Sequence, residues 1–224
     1  MQINADFNTV AIEHGGALDW VPSPIKGVHR RMLDRVGGEV ARATTIVRFD
    51  ENSQFDAHIH GGGEEFLVLE GVFQDEHGDY PVGTYIRNPP TSQHTPRSDK
   101  GCVILVKLWQ FQADDRAFTV VDSEKMELFG DPLRKNVLIK PLFQDAFETV
   151  RLEYWPEASL IRVGDDGGAE VFVLNNQFDY EGRTFSPYSW LRLPPGKKVD
   201  IKTGEKPVRV WTKTGHLTKI TVPE

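Results

Sequence analysis

The sequence predicts an all-β protein made of two tandem β-barrels, and three observations support that fold class. Short apolar runs such as residues 44–49, 65–69 and 102–109 have the length and the Val, Ile, Leu and aromatic content of strands. Frequent Gly, Pro and Asp turn signals separate these runs, as is typical of sandwiches and barrels. The third observation is an internal repeat. Helical periodicity is scarce, and we expect a short helix only within residues 112–130, at the link between the two halves.

The repeat is long and regular. Residues 62–90 read GGEEFLVLEGVFQDEHGDYPVGTYIRNPP, and residues 167–195 read GGAEVFVLNNQFDYEGRTFSPYSWLRLPP. A constant shift of 105 residues aligns the two stretches without a gap. Solenoid repeats are much shorter, so this repeat indicates a duplicated domain. We therefore predict one domain over residues 1–111 and a second over residues 112–224.

The composition limits the classes of function. The 224 residues carry a net charge of −7 and no clustered basic face, which argues against a nucleic-acid partner. No apolar run reaches the length of about eighteen residues that a membrane span requires, so no membrane association is expected. The N-terminus lacks the pattern of a signal peptide, and the single cysteine, Cys102, excludes an internal disulfide. We expect a cytoplasmic protein.

Three histidines and one glutamate have the spacing of a metal site. His58 and His60 lie two residues apart on an expected strand, so both imidazoles project from one face. Glycines 61–63 permit a tight reversal, and Glu64 then begins the returning strand beside them. His94 follows later, after a Pro-Pro turn. Three nitrogens and one carboxylate oxygen suit Zn²⁺, Fe²⁺, Mn²⁺, Ni²⁺ or Cu²⁺, and an octahedral ion with these four ligands would keep two open positions.

These residues belong to a longer pattern. It reads His58-x-His60-x-x-x-Glu64-x-x-x-x-x-x-Gly71, followed by Gly83-x-x-x-x-x-Pro89 and His94. The pattern resembles the two sequence motifs of the cupin superfamily. The surrounding words, HIHGGGEEFLVLEGVF and DEHGDYPVGTYIRNPPTSQHTPRSDKGCVILVKL, look like the ChrR-like cupin family, named after a bacterial zinc-dependent anti-sigma factor. The resemblance covers residues 20–109 well and the second copy in its framework alone. One departure is Thr91, which stands where the second motif usually has glycine.

The resemblance implies two tandem cupin (jelly-roll) β-barrels related by the internal repeat. It also implies one divalent transition metal, whose ligands are His58, His60, Glu64 and His94. Zinc is the expected ion, with iron, nickel or manganese as alternatives. In the second copy, the shift of 105 residues replaces the four ligands by residues that retain a single donor: Val163, Asp165, Ala169 and Val199. The second domain is therefore expected to be a degenerate, metal-free cupin domain.

The resemblance favours a regulatory or sensory protein in a stress response. In ChrR, however, the sigma factor is held by a separate N-terminal zinc-binding helical module. This chain has neither that module nor its cysteines, which argues against a sigma-factor partner. The alternative is a metal-dependent (Fe or Zn) dioxygenase acting on a small diketone or aromatic ketone, for which the sequence assigns no catalytic residue. A third hypothesis is a non-catalytic module that binds a small molecule at the barrel mouth. A homodimer is expected.

Four further residues are candidates for the surroundings of the site. Strand alternation predicts that Tyr85, Arg87 and Phe66 line the cavity. The alternative interpretation is that they fill the barrel as ordinary core residues. Gln93 adjoins His94 and is a candidate hydrogen-bond partner for its imidazole, because metal-bound imidazoles usually have such a partner.

Overall fold

Strands form almost all of the regular structure in residues 1–223, the part of the chain that the computed structural model describes. The all-β prediction is confirmed: these residues contain 24 strands and two short 3₁₀ helices. Within the same residues, no helix has the length and apolar character needed to cross a membrane.

The chain divides into two compact units. The first unit comprises residues 1–5, 18–125 and 221–223, and the second unit comprises residues 6–17 and 126–220. The first unit has one 3₁₀ helix, Ser123–Lys125, and the strands Gln2–Ile3, Val21–Pro22, Val28–Gly37, Ala41–Phe49, Ser53–Gln54, His58–Ile59, Glu64–Asp75, Gly78–Pro81, Thr84–Asn88, Gln93–His94, Arg97–Ser98, Cys102–Leu108 and Thr119–Asp122. The second unit has one 3₁₀ helix, Gly15–Ala17, and the strands Ala11–His14, Phe129–Gly130, Leu138–Gln144, Thr149–Trp155, Leu160–Val163, Ala169–Asn175, Phe178–Tyr180, Arg183–Phe185, Ser189–Leu193, Val199–Thr203 and Val208–Thr214.

The internal repeat appears in space as two sheets of the same strand order. In the first unit the antiparallel order is Gln2–Ile3, Val28–Gly37, Ala41–Phe49, Cys102–Leu108, Glu64–Asp75, Thr84–Asn88 and Thr119–Asp122. In the second unit it is Phe129–Gly130, Leu138–Gln144, Thr149–Trp155, Val208–Thr214, Ala169–Asn175, Ser189–Leu193 and Ala11–His14. The central strand is thus flanked by the same neighbours in each copy. This order, with a smaller second sheet in each unit, is the jelly-roll arrangement that the sequence predicted.

In each sheet, one edge strand comes from the other side of the predicted domain boundary after residue 111. The strand Ala11–His14 pairs with Ser189–Leu193 and so belongs to the second unit. The strand Thr119–Asp122 pairs with Thr84–Asn88 and belongs to the first. Each copy is therefore completed by the strand that precedes the other copy. A short helix was expected within residues 112–130. The structure has no α-helix there; it has the strand Thr119–Asp122, the three-residue 3₁₀ helix Ser123–Lys125 and the short strand Phe129–Gly130.

Side-chain alternation decides which residues reach the interior of the first unit. Glu64 pairs with Asn88 and Phe66 with Ile86, so these four side chains share the inner face. Phe66 and Ile86 lie in the buried core cluster, as the barrel-filling interpretation expected of Phe66. The remaining members of that cluster include Val28, Val47, Phe49, Val68, Phe73, Ile104 and Val106.

Tyr85 and Arg87 lie on the opposite face of the same strand, so the prediction that they line the cavity was wrong. Tyr85 donates a short hydrogen bond to Glu65, which is itself on the outer face. The Arg87 guanidinium lies 4.1 Å from the Phe111 ring centroid and pairs with Asp115 at 2.9 Å. Both side chains are buried and hold the framework on this face.

Candidate metal centre

The four predicted ligands come from three segments that the fold brings together. The short strands His58–Ile59 and Gln93–His94 pair antiparallel, with His58 directly opposite His94. His60 follows the first of these strands, and its backbone is fixed by hydrogen bonds to residues of the turn before His94. Glu64 is the first residue of the long strand Glu64–Asp75, directly after the glycine turn. Two sheets therefore supply the cluster.

The donor atoms of the cluster converge on one point. One ligand atom from each of the four side chains lies within 4.8 Å of every other. The imidazole centroids are separated by 5.0 Å (His58 to His60), 5.2 Å (His58 to His94) and 4.7 Å (His60 to His94). Glu64 Oε1 lies 3.6 Å from His60 Nε2 and 3.4 Å from His94 Nε2. Among residues 1–223, the Nε2 atoms of His60 and His94 are buried polar atoms without a hydrogen-bond partner.

Each imidazole is oriented by a hydrogen bond on its other nitrogen. His58 Nδ1 lies 3.1 Å from the Asp56 carbonyl oxygen, which can accept a hydrogen bond but not donate one. His94 Nδ1 faces Asp75 Oδ2 at 3.3 Å, again an acceptor. These two imidazoles therefore carry their proton on Nδ1.

The hydrogen bonding of Ser92 fixes the third imidazole in the same way. Ser92 Oγ lies 3.0 Å from His60 Nδ1. The same hydroxyl donates its only proton to the Pro89 carbonyl oxygen at 2.6 Å, so it can only accept from His60. With the proton on Nδ1, each imidazole keeps the lone pair of its Nε2 atom available, and this is the tautomer that ligation through Nε2 requires.

Local charges act differently on the two buried histidines. Burial lowers the pKa of His60, which keeps this imidazole neutral and able to donate its Nε2 lone pair. Burial also acts to lower the pKa of His94, but the hydrogen bond to Asp75 and the charge of Glu64 outweigh it and raise that pKa. Burial acts to raise the pKa of Asp75, yet its hydrogen bond with His94 holds the value below the usual range. Asp75 is therefore an ionised partner that makes His94 more basic.

The glycine turn before Glu64 is shaped by aromatic rings. A Cβ atom on Gly62 would lie 2.2 Å from a Trp109 ring carbon, and one on Gly61 would lie 2.9 Å from the same indole. Gly63 has φ +77°, and a Cβ there would meet Phe111 at 2.4 Å. Only glycine permits the chain to pass this close to the rings, and this passage places Glu64 beside the histidines.

A cavity of about 450 Å³ adjoins the cluster, all of it within the first unit. His58, His60 and Glu64 contribute to its wall. Most of the remaining lining is apolar, and it includes Val28, Val47, Phe49, Phe55, Ile104, Val106 and Leu108. Its size and apolar character are those of a pocket for a small organic molecule.

The second unit has the same backbone pairing without the donors. Val163 pairs directly with Val199, as His58 pairs with His94 in the first unit. Both valines and Ala169, the counterpart of Glu64, are buried in the apolar core cluster of the second unit. Asp165, the remaining donor, caps the following turn by accepting a hydrogen bond from the Gly167 backbone at 2.8 Å. The geometry of a metal site is therefore absent here among the described residues.

Sequence reasoning missed the partners of the histidines. Gln93, the candidate partner of His94, is exposed, because consecutive side chains of a strand point to opposite faces. The hydrogen-bond partner of His94 is instead Asp75, the last residue of the strand Glu64–Asp75. Asn88 was also missed; its side-chain amide donates to Glu64 Oε1 at 3.2 Å. Thr91 has φ +75°, the left-handed conformation that explains why glycine is usual at this point of the motif.

The two jelly-roll units of equal strand order, one carrying a His₃Glu cluster, define a tandem cupin protein. Residues 9–112 match the family model of the ChrR cupin-like domain, in agreement with the resemblance that the sequence motifs indicate. Comparison with curated proteins gives no significant match.

Solved structures share this fold at low sequence identity. A candidate dioxygenase from Nostoc punctiforme superposes with a TM-score of 0.75 at 13% identity, covering 97% of this chain and 87% of that one. A candidate glyoxylate-induced protein from Pseudomonas aeruginosa gives a TM-score of 0.73 at 13% identity, covering 96% and 91%. A variant of Bacillus subtilis oxalate decarboxylase gives 0.63 at 10% identity, covering 96% and 79%. At these identities the likeness establishes the fold alone.

Proposed function

We propose that this protein is a metal-dependent dioxygenase that acts on a small, largely apolar carbonyl compound, such as a diketone or an aromatic ketone. The observation that carries this proposal is a preorganised His₃Glu cluster that lines an apolar cavity of about 450 Å³. A structural metal site is closed by its protein ligands and needs no adjoining cavity, whereas a catalytic site keeps open positions that face its substrate.

The donor set fits a divalent transition metal. Within residues 1–223, the Nε2 atoms of His60 and His94 are buried without a hydrogen-bond partner, which is unfavourable for folding. A bound metal ion would satisfy both atoms. A metal with this donor set supplies Lewis acidity and open coordination positions for substrate or dioxygen. Iron is the ion that the oxygenase proposal requires, and zinc would fit the same ligands.

The chain itself supplies orientation and exclusion of water. Asp56, Ser92 and Asp75 hold the three imidazoles with Nε2 toward the ion. Asn88 holds Glu64 Oε1 from the neighbouring strand. The apolar side chains of the cavity bind the body of the substrate and keep bulk water away from the reacting atoms.

The test combines metal analysis with oxygen consumption. The protein is purified with and without air, its metal content is measured, and O₂ uptake is recorded with 2,4-pentanedione and 1-phenyl-1,3-butanedione. We expect one metal per chain and uptake that requires both iron and the diketone. His60→Ala should abolish both, whereas His77→Ala, which removes an exposed histidine outside the cluster, should retain both. An iron-loaded protein that consumes no oxygen with any small carbonyl compound would contradict the proposal.

A second candidate function is sensory or regulatory, and the match of residues 9–112 to the ChrR cupin-like domain favours it. In that case the cavity would bind an effector and the metal would be zinc. Stoichiometric zinc in both preparations, together with no oxygen uptake, is the result expected for this second function.

A further inference from the structure

The cavity of the first unit contains two arginines that metal binding does not explain. Arg30 and Arg35 lie on the strand Val28–Gly37 and both line the cavity. Their partners on the next strand, Val47 and Ala43, are apolar. Two permanent cations in an otherwise apolar wall are unfavourable unless something of opposite charge compensates them.

The carboxylate available to these arginines is exposed. Among the described residues that line the cavity, Glu39 is the one carboxylate besides the proposed ligand Glu64, and its side chain is 71% exposed. Its Oε2 atom lies 3.3 Å from Arg30 Nη1. Arg35 donates to the carbonyl oxygens of Gly38 and Glu39, so it holds the hairpin that presents Glu39 but forms no ion pair within residues 1–223. Two cations therefore face a single, solvent-exposed carboxylate.

The second unit shows how buried acids neutralise a pair of arginines, at positions other than the repeat counterparts of Arg30 and Arg35. Arg134 pairs with Asp131 at 2.5 Å and with Glu153 at 2.7 Å, and Arg151 lies 3.4 Å from Asp131. The side chains of these two carboxylates are 2% and 4% exposed. In the second unit the charges are thus closed off by buried acids. In the first unit they remain accessible to a ligand that could displace Glu39.

We propose that Arg30 is a specificity residue that binds the carboxylate of the ligand, with Glu39 as the internal competitor for the same guanidinium. The ligand class is then a small, largely apolar carbonyl compound that also carries one carboxylate. Its apolar body occupies the cavity, and its carboxylate replaces Glu39 at the Arg30 Nη1 atom. This inference rests on the proposed function only in taking the cavity as the substrate pocket.

The experiment compares matched acids and amides by calorimetry on the full chain, both metal-free and zinc-loaded. The probes are 3-phenylpropanoate and hexanoate, each against its neutral primary amide. We expect each acid to bind at least about tenfold more tightly than its amide, because a charge-assisted hydrogen bond is lost in the amide. Arg30→Gln should remove this preference. Glu39→Gln should strengthen acid binding several-fold while leaving amide binding unchanged, which a merely structural role of Arg30 does not predict.

Arg31→Gln is the matched control. Arg31 is the next residue of the same strand, and it stacks on Trp20, 4.2 Å from the ring centroid, outside the cavity lining. This variant should keep the preference for acids. Equal binding of acids and amides, or a preference that survives Arg30→Gln, would overturn the inference. Acid binding that appears only with zinc and ignores Arg30→Gln would assign the carboxylate to the metal, which overturns the inference and leaves the proposed function intact.

Discussion

Replacement of Asp75 by asparagine tests the tautomer that prepares His94 for a metal ion. In the native chain, the His94 Nδ1–H faces Asp75 Oδ2 at 3.3 Å, and Asp75 Oδ1 accepts from the His77 backbone at 2.8 Å and from Tyr80 at 3.2 Å. Asparagine can satisfy these last two donors with its oxygen. Its NH₂ group then faces His94 Nδ1, which must become an acceptor. The proton moves to Nε2, where it blocks ligation.

Loss of such an oriented partner typically weakens metal binding by about 10–100-fold, or roughly 1.4–2.7 kcal/mol. We expect a loss in this range for Asp75→Asn, measured by competition of Zn²⁺ or Co²⁺ with a chromophoric chelator. Gln93→Ala is the control, because Gln93 adjoins His94 in the chain but is exposed. Unchanged affinity in Asp75→Asn, or an equal loss in Gln93→Ala, would refute the assignment of Asp75 as the orienting partner.

The same variant has a second signature in the metal-free protein. The pKa of His94 is raised above 6.5, so the stabilisation from this histidine is complete below pH 6.5 and is lost as the pH rises through the raised value. The pKa of Asp75 is held below 3.8, so its contribution is present above pH 3.8 and is lost on acidification. Denaturation of the metal-free chain should therefore show a loss of stability as the pH rises above 6.5, and this loss should be smaller in Asp75→Asn.

The remaining predictions concern metal affinity, strain, packing and the thiol. Because His94 must lose a proton to bind a metal, the affinity of the wild-type chain should rise with pH until the raised pKa of His94 is passed, as chelator competition across pH would show. Thr91→Gly should raise the free energy of unfolding by up to about 1 kcal/mol with metal affinity retained, since Thr91 has φ +75° and glycine adopts this conformation without strain; a clear loss of stability would contradict this reasoning. Gly62→Ala should cost about 1–3 kcal/mol in chemical denaturation and also weaken metal binding, because the new methyl group meets the Trp109 ring. Burial raises the pKa of Cys102 to about 11, so a thiol reagent at pH 8 should label this residue in denaturant but not in the native chain.

Much of the fold could be predicted from the sequence because the repeat keeps its register. Glu65 pairs with Arg87 in the first unit and Glu170 with Arg192 in the second, as the gapless shift implied. The same pairing also predicts which face of the sheet Arg87 occupies. Glu65 follows Glu64 directly, so residues paired with Glu65 lie on the face opposite the ligand, and this excludes Arg87 from the cavity.

The exchange of edge strands could not be predicted from the repeat. The segments Ala11–His14 and Thr119–Asp122 precede their copies and resemble ordinary short strands. Nothing in their alternation says which sheet they join, because an edge strand is chosen by tertiary contacts beyond its own pattern. Arg192 shows the outcome: its guanidinium lies 4.2 Å from the Phe7 ring centroid and donates to the Asp6 carbonyl oxygen, both in the N-terminal segment.

The sequence predicted which four side chains form the cluster but not their hydrogen-bond partners. Ligand spacing is local, since a strand, a glycine turn and a second strand place His58, His60 and Glu64 together. Asp75 reaches His94 because the strand Glu64–Asp75 runs from one sheet into the other, which requires its full length of 12 residues. The motif therefore identifies the four predicted ligands. The length of the strand Glu64–Asp75 determines that Asp75 reaches His94 and raises its pKa.

The interiors of the two units differ in how well their buried polar groups are compensated. In the second unit, valines and alanine fill three of the four positions that correspond to the ligands, and buried carboxylates pair with Arg134 and Arg151; folding alone favours both arrangements. Within residues 1–223, the first unit retains two buried imidazole nitrogens without a hydrogen-bond partner, a cavity of about 450 Å³ and two poorly compensated arginines. Each of these features is unfavourable for folding by itself, and a metal ion with an anionic, apolar ligand would compensate all three. The copy with the less favourable interior is thus the one in which function is to be sought.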